Sequence, residues 1–189
     1  MRLFVAVVPP PEVLDELEAA VAPLRPGWPA LRWTGMPAWH LTLAFLGEVG
    51  DGTAAALGPR LERAAGRHPS LPVSLAGGGA FPGPARARVL WTGLRGDRRA
   101  LAALAGSVAA GARRAGAPPP DEGRRFKPHV TLARCREPTN VTGLVAELSG
   151  YAGAPWMATE IHLIRSSPGG VGAAPHYETV SRWPLRDPK

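Results

Sequence analysis

The sequence predicts an α+β fold built by duplication: two antiparallel sheets facing a central cleft, with the helices outside. Three observations carry that expectation. The pentapeptide His40-Leu41-Thr42-Leu43-Ala44 recurs as His129-Val130-Thr131-Leu132-Ala133, 89 positions further on. Both copies lie in apolar runs with period-two alternation, the pattern of half-buried strands. The surrounding segments follow one order in both halves (strand, helix, loop, motif strand, helix, strand), so a whole unit is repeated, not a short solenoid module. One bilobal domain over residues 1–189 is expected, with the motif at 40–43 on one lobe and that at 129–132 on the other.

Taken in order, residues 3–8 (LFVAVV) read as a buried strand, stopped by Pro9-Pro10-Pro11. A helix is expected over 11–24, where Val13, Leu14, Leu17, Val21 and Leu24 form an apolar stripe. Proline is tolerated in its first turn, because that N–H has no intrahelical acceptor anyway. Residues 25–37 are broken by Pro and Gly and lead into a motif strand over 39–46, ended by Gly47 and Gly50-Asp51-Gly52. The next helix, over 53–67, has Asp51 or Thr53 available as its cap. A strand over 72–76 should give way to the Gly77-Gly78-Gly79 run.

The second half opens with a strand over 87–94, and Asp97 can cap a helix reaching about Ala115 with Leu101, Leu104 and Val108 inward. A loop with Pro118-Pro119-Pro120 and Arg124-Arg125 runs through Phe126-Lys127-Pro128 into the second motif strand. A helix near 140–148 and strands over 156–165 and 177–184 complete the pattern.

Composition narrows the function classes. Hydrophobic residues make up 45%, a globular fraction, and no apolar run approaches the roughly 20 residues of a membrane helix. The opening MRLFVAVVPPPE halts at Pro9, too short for a signal-peptide core. A single cysteine, Cys135, excludes an internal disulfide framework and a thiolate-rich zinc site, and makes a reducing cytoplasm the expected compartment. Net charge of +7 and a pI near 10.9 favour an anionic partner such as nucleic acid. Arginine supplies 20 of the 22 basic residues; a GC-rich genome gives the same bias, so the weight rests on the net excess.

The repeated motif carries the chemistry. On a strand, residues two apart share a face at about 6.6 Å, so each copy can aim one imidazole and one hydroxyl together while Leu41, Leu43 and Phe45, or Val130 and Leu132, turn into a core. Two such pairs facing each other offer two proton carriers and two neutral hydrogen-bond donors, which suits a phosphate. With five His, nine Thr and 21 Leu in the chain, random placement yields roughly 0.03 matches to His-x-Thr-Leu, so two are not accidental. The plain alternative is a pair of structural strands whose His and Thr bond locally.

MRLFVAV, HLTLAFLGE, the GAFP segment before RVLWTGL, FKPHVTLAR and RSSPGG with YETVSRWPL together resemble the two-histidine (2H) phosphoesterase superfamily. Within it, the similarity is to the RNA 2′,3′-cyclic phosphodiesterases, also called 2′-5′ RNA ligases, and it covers nearly the whole chain. The resemblance implies metal-independent opening of terminal 2′,3′-cyclic phosphates to 2′-phosphomonoesters, with no cofactor and with reversible 2′-5′ ligation on the same atoms. It implies His40 as proton donor and His129 as proton acceptor, roles that the symmetric motifs alone leave open. Thr42 and Thr131 would donate to non-bridging oxygens. Lys127, where the family usually carries arginine, and Arg134 would bind phosphate, and Tyr177 would bind substrate, stacking on a base. The implied partner is RNA with 2′,3′-cyclic phosphate ends, tRNA fragments among them, with no membrane, no metal and a monomeric chain.

Arg134 poses a geometric question. Strict alternation from His129 puts it on the opposite face, and it reaches the site only if the strand twists or bulges; the matching residue of the first copy, Phe45, reads as core. His68 and His162 lack a Thr two residues on, and His162 reads as a structural histidine. His176 adjoins Gly169-Gly170 and Tyr177. Phe126 is a second candidate for base stacking, Trp33 and Trp39 read as packing residues, and alternation brings Cys135 towards the pocket without a His to activate it. Two other classes compete with the enzyme: a non-catalytic RNA-end-binding module, and a site in which the histidines ligate a metal, which the lack of acidic or Cys partners in the motifs disfavours.

Overall fold

A computed structural model describes residues 1–120, 125–170 and 174–187; Arg124 of the basic loop lies outside them. The first strand, β1 (Arg2–Val7), is followed by helix α1 (Pro11–Val21), with Pro11 at its first position as the sequence predicts. A short 3-10 segment, Ala22–Gly27, then leads to the two-residue strand β2 (Arg32–Trp33). A 3-10 turn at Met36–Ala38 precedes β3 (Leu41–Glu48), so His40 stands one residue ahead of its strand, not inside it. Helix α2 (Asp51–Ala65) starts earlier than expected. Its cap is Gly50 and no side chain caps it; Asp51 is already helical and acts only through its charge at the positive end of the helix.

Strand β4 (Leu71–Phe81) runs straight through the glycine triplet, which corrects the expectation that these residues end it. The triplet is a kink in a strand. Gly77 takes φ of +66°, and the pairing with β5 (Ala87–Gly96) shifts between Ala76 and Gly79. The buried Thr92 hydroxyl donates to the Gly77 carbonyl at 2.7 Å, so the kink leaves neither group unpaired. Helix α3 (Arg98–Arg114) is capped by Asp97, whose carboxylate accepts from the Ala100 amide at 2.9 Å. Then come β6 (His129–Thr139), α4 (Thr142–Leu148), β7 (Trp156–Ala158), β8 (Glu160–Ser167) and β9 (His176–Pro184). The strand expected over 156–165 is therefore two strands. It breaks at Thr159 because β7 pairs with β4 while β8 pairs with β1 and β9, in the other sheet.

Among the described residues the fold is α+β, with two antiparallel sheets and four α-helices. One sheet has the order β3-β1-β8-β9 and the other β2-β6-β5-β4-β7. The order β1-α1-β3-α2-β4 recurs as β5-α3-β6-α4-β8. Each half, however, gives its third strand to the other half's sheet, since β4 lies beside β5 and β8 beside β1. The exchange ties the sheets covalently and through one shared core. Leu41 and Leu43 of β3, Val130 and Leu132 of β6, Leu57 and Leu61 of α2, and Leu104 and Val108 of α3 all belong to it. Each fully buried side chain of this kind contributes ~1.5–3 kcal/mol. Among the described residues no helix is long and apolar enough to cross a membrane.

Gly79 has a packing role of its own. A Cβ there would lie 2.2 Å from the Trp91 ring, which is already held against Phe81. Gly79→Ala is expected to displace the indole and cost about 1–3 kcal/mol of stability, as over-packing does, measured by chemical denaturation.

Candidate functional site

Just after the His-x-Thr pair, both motif strands carry an extra residue against the strand they pair with, at the same place. Along β1 and β3, Ala6 faces Thr42 and Val5 faces Ala44, which leaves Leu43 unpaired. Along β5 and β6, Trp91 faces Thr131 and Leu90 faces Ala133, which leaves Leu132 unpaired. Such a bulge advances the alternation by one residue. His129, Thr131 and Arg134 therefore share a face, which answers the question that strict alternation poses for Arg134. The same shift turns Phe45 out of the core. It is 45% exposed, and its ring lies 6.1 Å from that of Phe4. The expectation of a core Phe45 is corrected for this reason. Cys135 is corrected too: the shift carries it into the buried cluster, away from the cleft.

On the first sheet the His40 ring packs against Phe4, with centroids 4.5 Å apart, and meets Tyr177 edge-on at 5.2 Å. A cavity of about 340 Å³ opens beside it, with Met36, Trp39, Ile164, Tyr177 and Thr179 in its walls. On the second sheet His129 meets Phe81 edge-on at 4.9 Å and Trp91 at 6.1 Å. The Lys127 ammonium lies over both of those rings, 5.3 and 4.9 Å from their centroids, a cation–π arrangement at the mouth of the site. Thr42 and Thr131 are half-buried, and their hydroxyls bond to nothing among the described residues.

Hydrogen bonds tie the two motifs together. The Thr34 hydroxyl accepts from the Trp39 indole N–H at 3.0 Å and shares its own proton between the Thr131 and Leu132 carbonyls, at 2.8 and 2.9 Å. The Thr34 amide also donates to Leu132 O at 2.8 Å. Trp39 is buried and immediately precedes His40. The backbone that presents one imidazole is thus fastened to the bulge that presents the other, through a residue that sequence reasoning passed over.

The two imidazoles sense each other and one shared cation. Burial, then Arg134, then His129 hold the pKa of His40 down to about 4, from an ordinary 6.5. Burial also lowers that of His129, with Arg134 and Lys127 acting in the same direction. One contact opposes this: the Lys127 carbonyl accepts a hydrogen bond from His129 Nδ1 at 2.7 Å, which favours the charged ring. In the neutral ring the same bond places the proton on Nδ1 and leaves Nε2 with its lone pair.

The remaining candidates lie elsewhere or serve packing. His162 Nε2 bonds to Glu160 at 2.9 Å, and His68 Nε2 to the Ser107 hydroxyl at 2.7 Å. His176 is exposed, while Trp33 and Phe126 pack against the main core. Sequence reasoning missed the apolar frame of the site, Phe4, Phe81 and Trp91. The signal for two of them was present, since Phe4 lies in a β1 run whose alternate residues face opposite sides, and Trp91 lies in the β5 run two residues beyond Val89, the place that matches Phe4.

Known proteins bear on this arrangement. A profile of the 2′-5′ RNA ligase superfamily matches residues 9–170. An RNA 2′,3′-cyclic phosphodiesterase of Aeropyrum pernix is 37% identical over 127 residues, 67% of this chain and 70% of that protein. The crystal structure of Escherichia coli LigT complexed with 3′-AMP is 31% identical and aligns over 97% of both chains with a TM-score of 0.79. That of TT0787 of Thermus thermophilus is 29% identical and aligns over 99% of both, with a TM-score of 0.77.

Because the Arg134 charge lowers both imidazole pKa values, Arg134→Met is expected to raise them. The titration of the His40 and His129 Cε1 protons by NMR, moving to higher pH in the variant, is the check.

Proposed function

The chain belongs to the 2′-5′ RNA ligase superfamily, and from that premise we propose that it opens 2′,3′-cyclic phosphate ends of RNA to 2′-phosphomonoesters, without a metal or cofactor. The observation that carries the reading is that His40 on one sheet and His129 on the other lie within electrostatic reach of each other and of Arg134. A cyclic phosphodiester needs one group to take a proton from water and another to give one to the departing ribose oxygen, and imidazoles do both near neutral pH.

His129 is the proton acceptor. Its bond to the Lys127 carbonyl supports this role, because the neutral ring then has its lone pair on Nε2 and the developing imidazolium is stabilised. Water loses a proton to Nε2, its oxygen bonds to phosphorus, and the bond from phosphorus to the 3′-oxygen breaks. His40 gives that oxygen a proton. The hydroxyls of Thr42 and Thr131, with Arg134, hold the non-bridging oxygens as negative charge gathers on them. Lys127 adds a point charge, and Tyr177 with the cavity beside His40 receives the nucleobase. The same displacement with a 5′-hydroxyl in place of water forms a 2′-5′ linkage as the bond from phosphorus to the 3′-oxygen breaks, and attack of that 3′-hydroxyl on the linkage reverses it, but abundant water favours hydrolysis. A reducing cytoplasm suits the free, buried Cys135.

Product analysis of a short oligonucleotide ending in 2′,3′-cyclic phosphate tests the reading. A 2′-monophosphate is expected from the wild type, with His40→Ala and His129→Ala each losing at least about a hundredfold in rate while keeping the native circular dichroism. Unchanged substrate with salt-sensitive binding would leave an RNA-end-binding module instead. The pH profiles should separate. In the free protein both imidazole pKa values are depressed, and a bound phosphate anion raises them. The alkaline limb of kcat is therefore expected at higher pH than that of kcat/KM, read from paired pH–rate profiles.

A further inference from the structure

The second sheet carries a concentration of charge that the reaction at the histidines does not use. Arg32 of β2 stands directly opposite Arg134 of β6. Like charges in opposed positions of a strand pair destabilise it. Arg136, two residues on, is exposed, and the Arg88 guanidinium donates to its carbonyl at 3.3 Å. Among the described residues none of these four arginines has a carboxylate within ion-pair distance.

The first sheet is different. There Arg165 is paired with Glu178, and Arg182 with Glu160 at 3.8 Å. The position matching Arg134 is Phe45, and the cavity beside His40 is walled mainly by apolar side chains. One side of the cleft is therefore mainly apolar, with Arg165 and Arg182 each beside a carboxylate. The other is an uncompensated cationic corner continuous with Arg134, whose field reaches both histidines.

We infer that this corner is a track for the phosphates next to the reacting one, so that the preferred substrate is an oligonucleotide whose upstream backbone lies along Arg32, Arg88 and Arg136. The inference rests on the hydrolytic reading above and specifies its substrate. A free cyclic mononucleotide fills the site at the histidines and leaves the track empty. An RNA chain supplies the anions that the opposed Arg32 and Arg134 lack, each guanidinium able to fork a phosphate.

The test compares adenosine 2′,3′-cyclic phosphate with a short oligoribonucleotide carrying the same terminus, on the wild type and on the double variant Arg32→Gln with Arg136→Gln. On the oligonucleotide, kcat/KM is expected to fall about tenfold in the variant, and its log–log salt dependence to flatten by about 1.4, roughly 0.7 for each phosphate no longer neutralised. Turnover of the mononucleotide should stay within about twofold, and the melting temperature should hold or rise as the opposed charges are relieved. Equal losses on both substrates, or none on the oligonucleotide, would overturn the track. If the wild type opens neither substrate, the hydrolytic reading fails by itself. The track is then judged by fluorescence anisotropy with a labelled 3′-phosphorylated oligonucleotide: weaker, less salt-dependent binding by the variant supports it, and equal binding refutes it.

Discussion

Each motif strand carries an extra residue at the same place, just after its His-x-Thr pair, and the cleft depends on where that residue goes. Leu43 and Leu132 are the surplus residues, and both are buried. Inserting them lets two consecutive core positions follow the His-x-Thr pair, so the next polar-facing position falls five residues after the histidine and not four. Without the bulge, Arg134 would be directed into the apolar core, where an unpaired guanidinium is prohibitively costly. With it, one strand presents an imidazole, a hydroxyl and a cation to the same space. The carbonyl of Leu132 is held by the Thr34 amide and hydroxyl, so the irregularity is pinned from the side away from β5.

A symmetric frame holds an asymmetric site. The same bulge serves both strands, yet what it turns towards the cleft is Phe45 in one and Arg134 in the other. The histidines differ accordingly. His40 sits among Phe4, Tyr177 and an apolar cavity, whereas His129 sits against Phe81 and Trp91, the rings that Lys127 covers, with its Nδ1 held by a backbone carbonyl. Desolvation and a shared cation keep both rings towards the neutral form until an anion arrives. On the proposed function that is a sensible resting state, because a nearby anion favours the charged form of an imidazole and so opposes both effects.

Strand exchange explains how two such faces are held in register. Were each half to fold by itself, the cleft geometry would depend on how two bodies docked. Here β4 and β8 cross over, the main core runs through both sheets, and the Trp39–Thr34–Leu132 bridge joins the two motif segments. Small errors in either sheet are then resisted by packing that both share.

Much of this was legible in the chain itself. The fold class, the duplicated motif, the Asp97 cap and the stripes that bury α1 and α3 follow from local periodicity, because a helix or strand declares its face within a few residues. Other features were not. That His40 precedes its strand, that Gly77-Gly78-Gly79 bends β4 without ending it, that residues 156–165 divide between two sheets, and that Phe45 faces outward while Cys135 is buried all depend on which strand lies alongside. A bulge is a mismatch between two chains, and neither chain records it alone. The sequence by itself determined which side chains could do the chemistry; the tertiary structure decided which of them face the same space, because strand register is set by partners far away along the polymer.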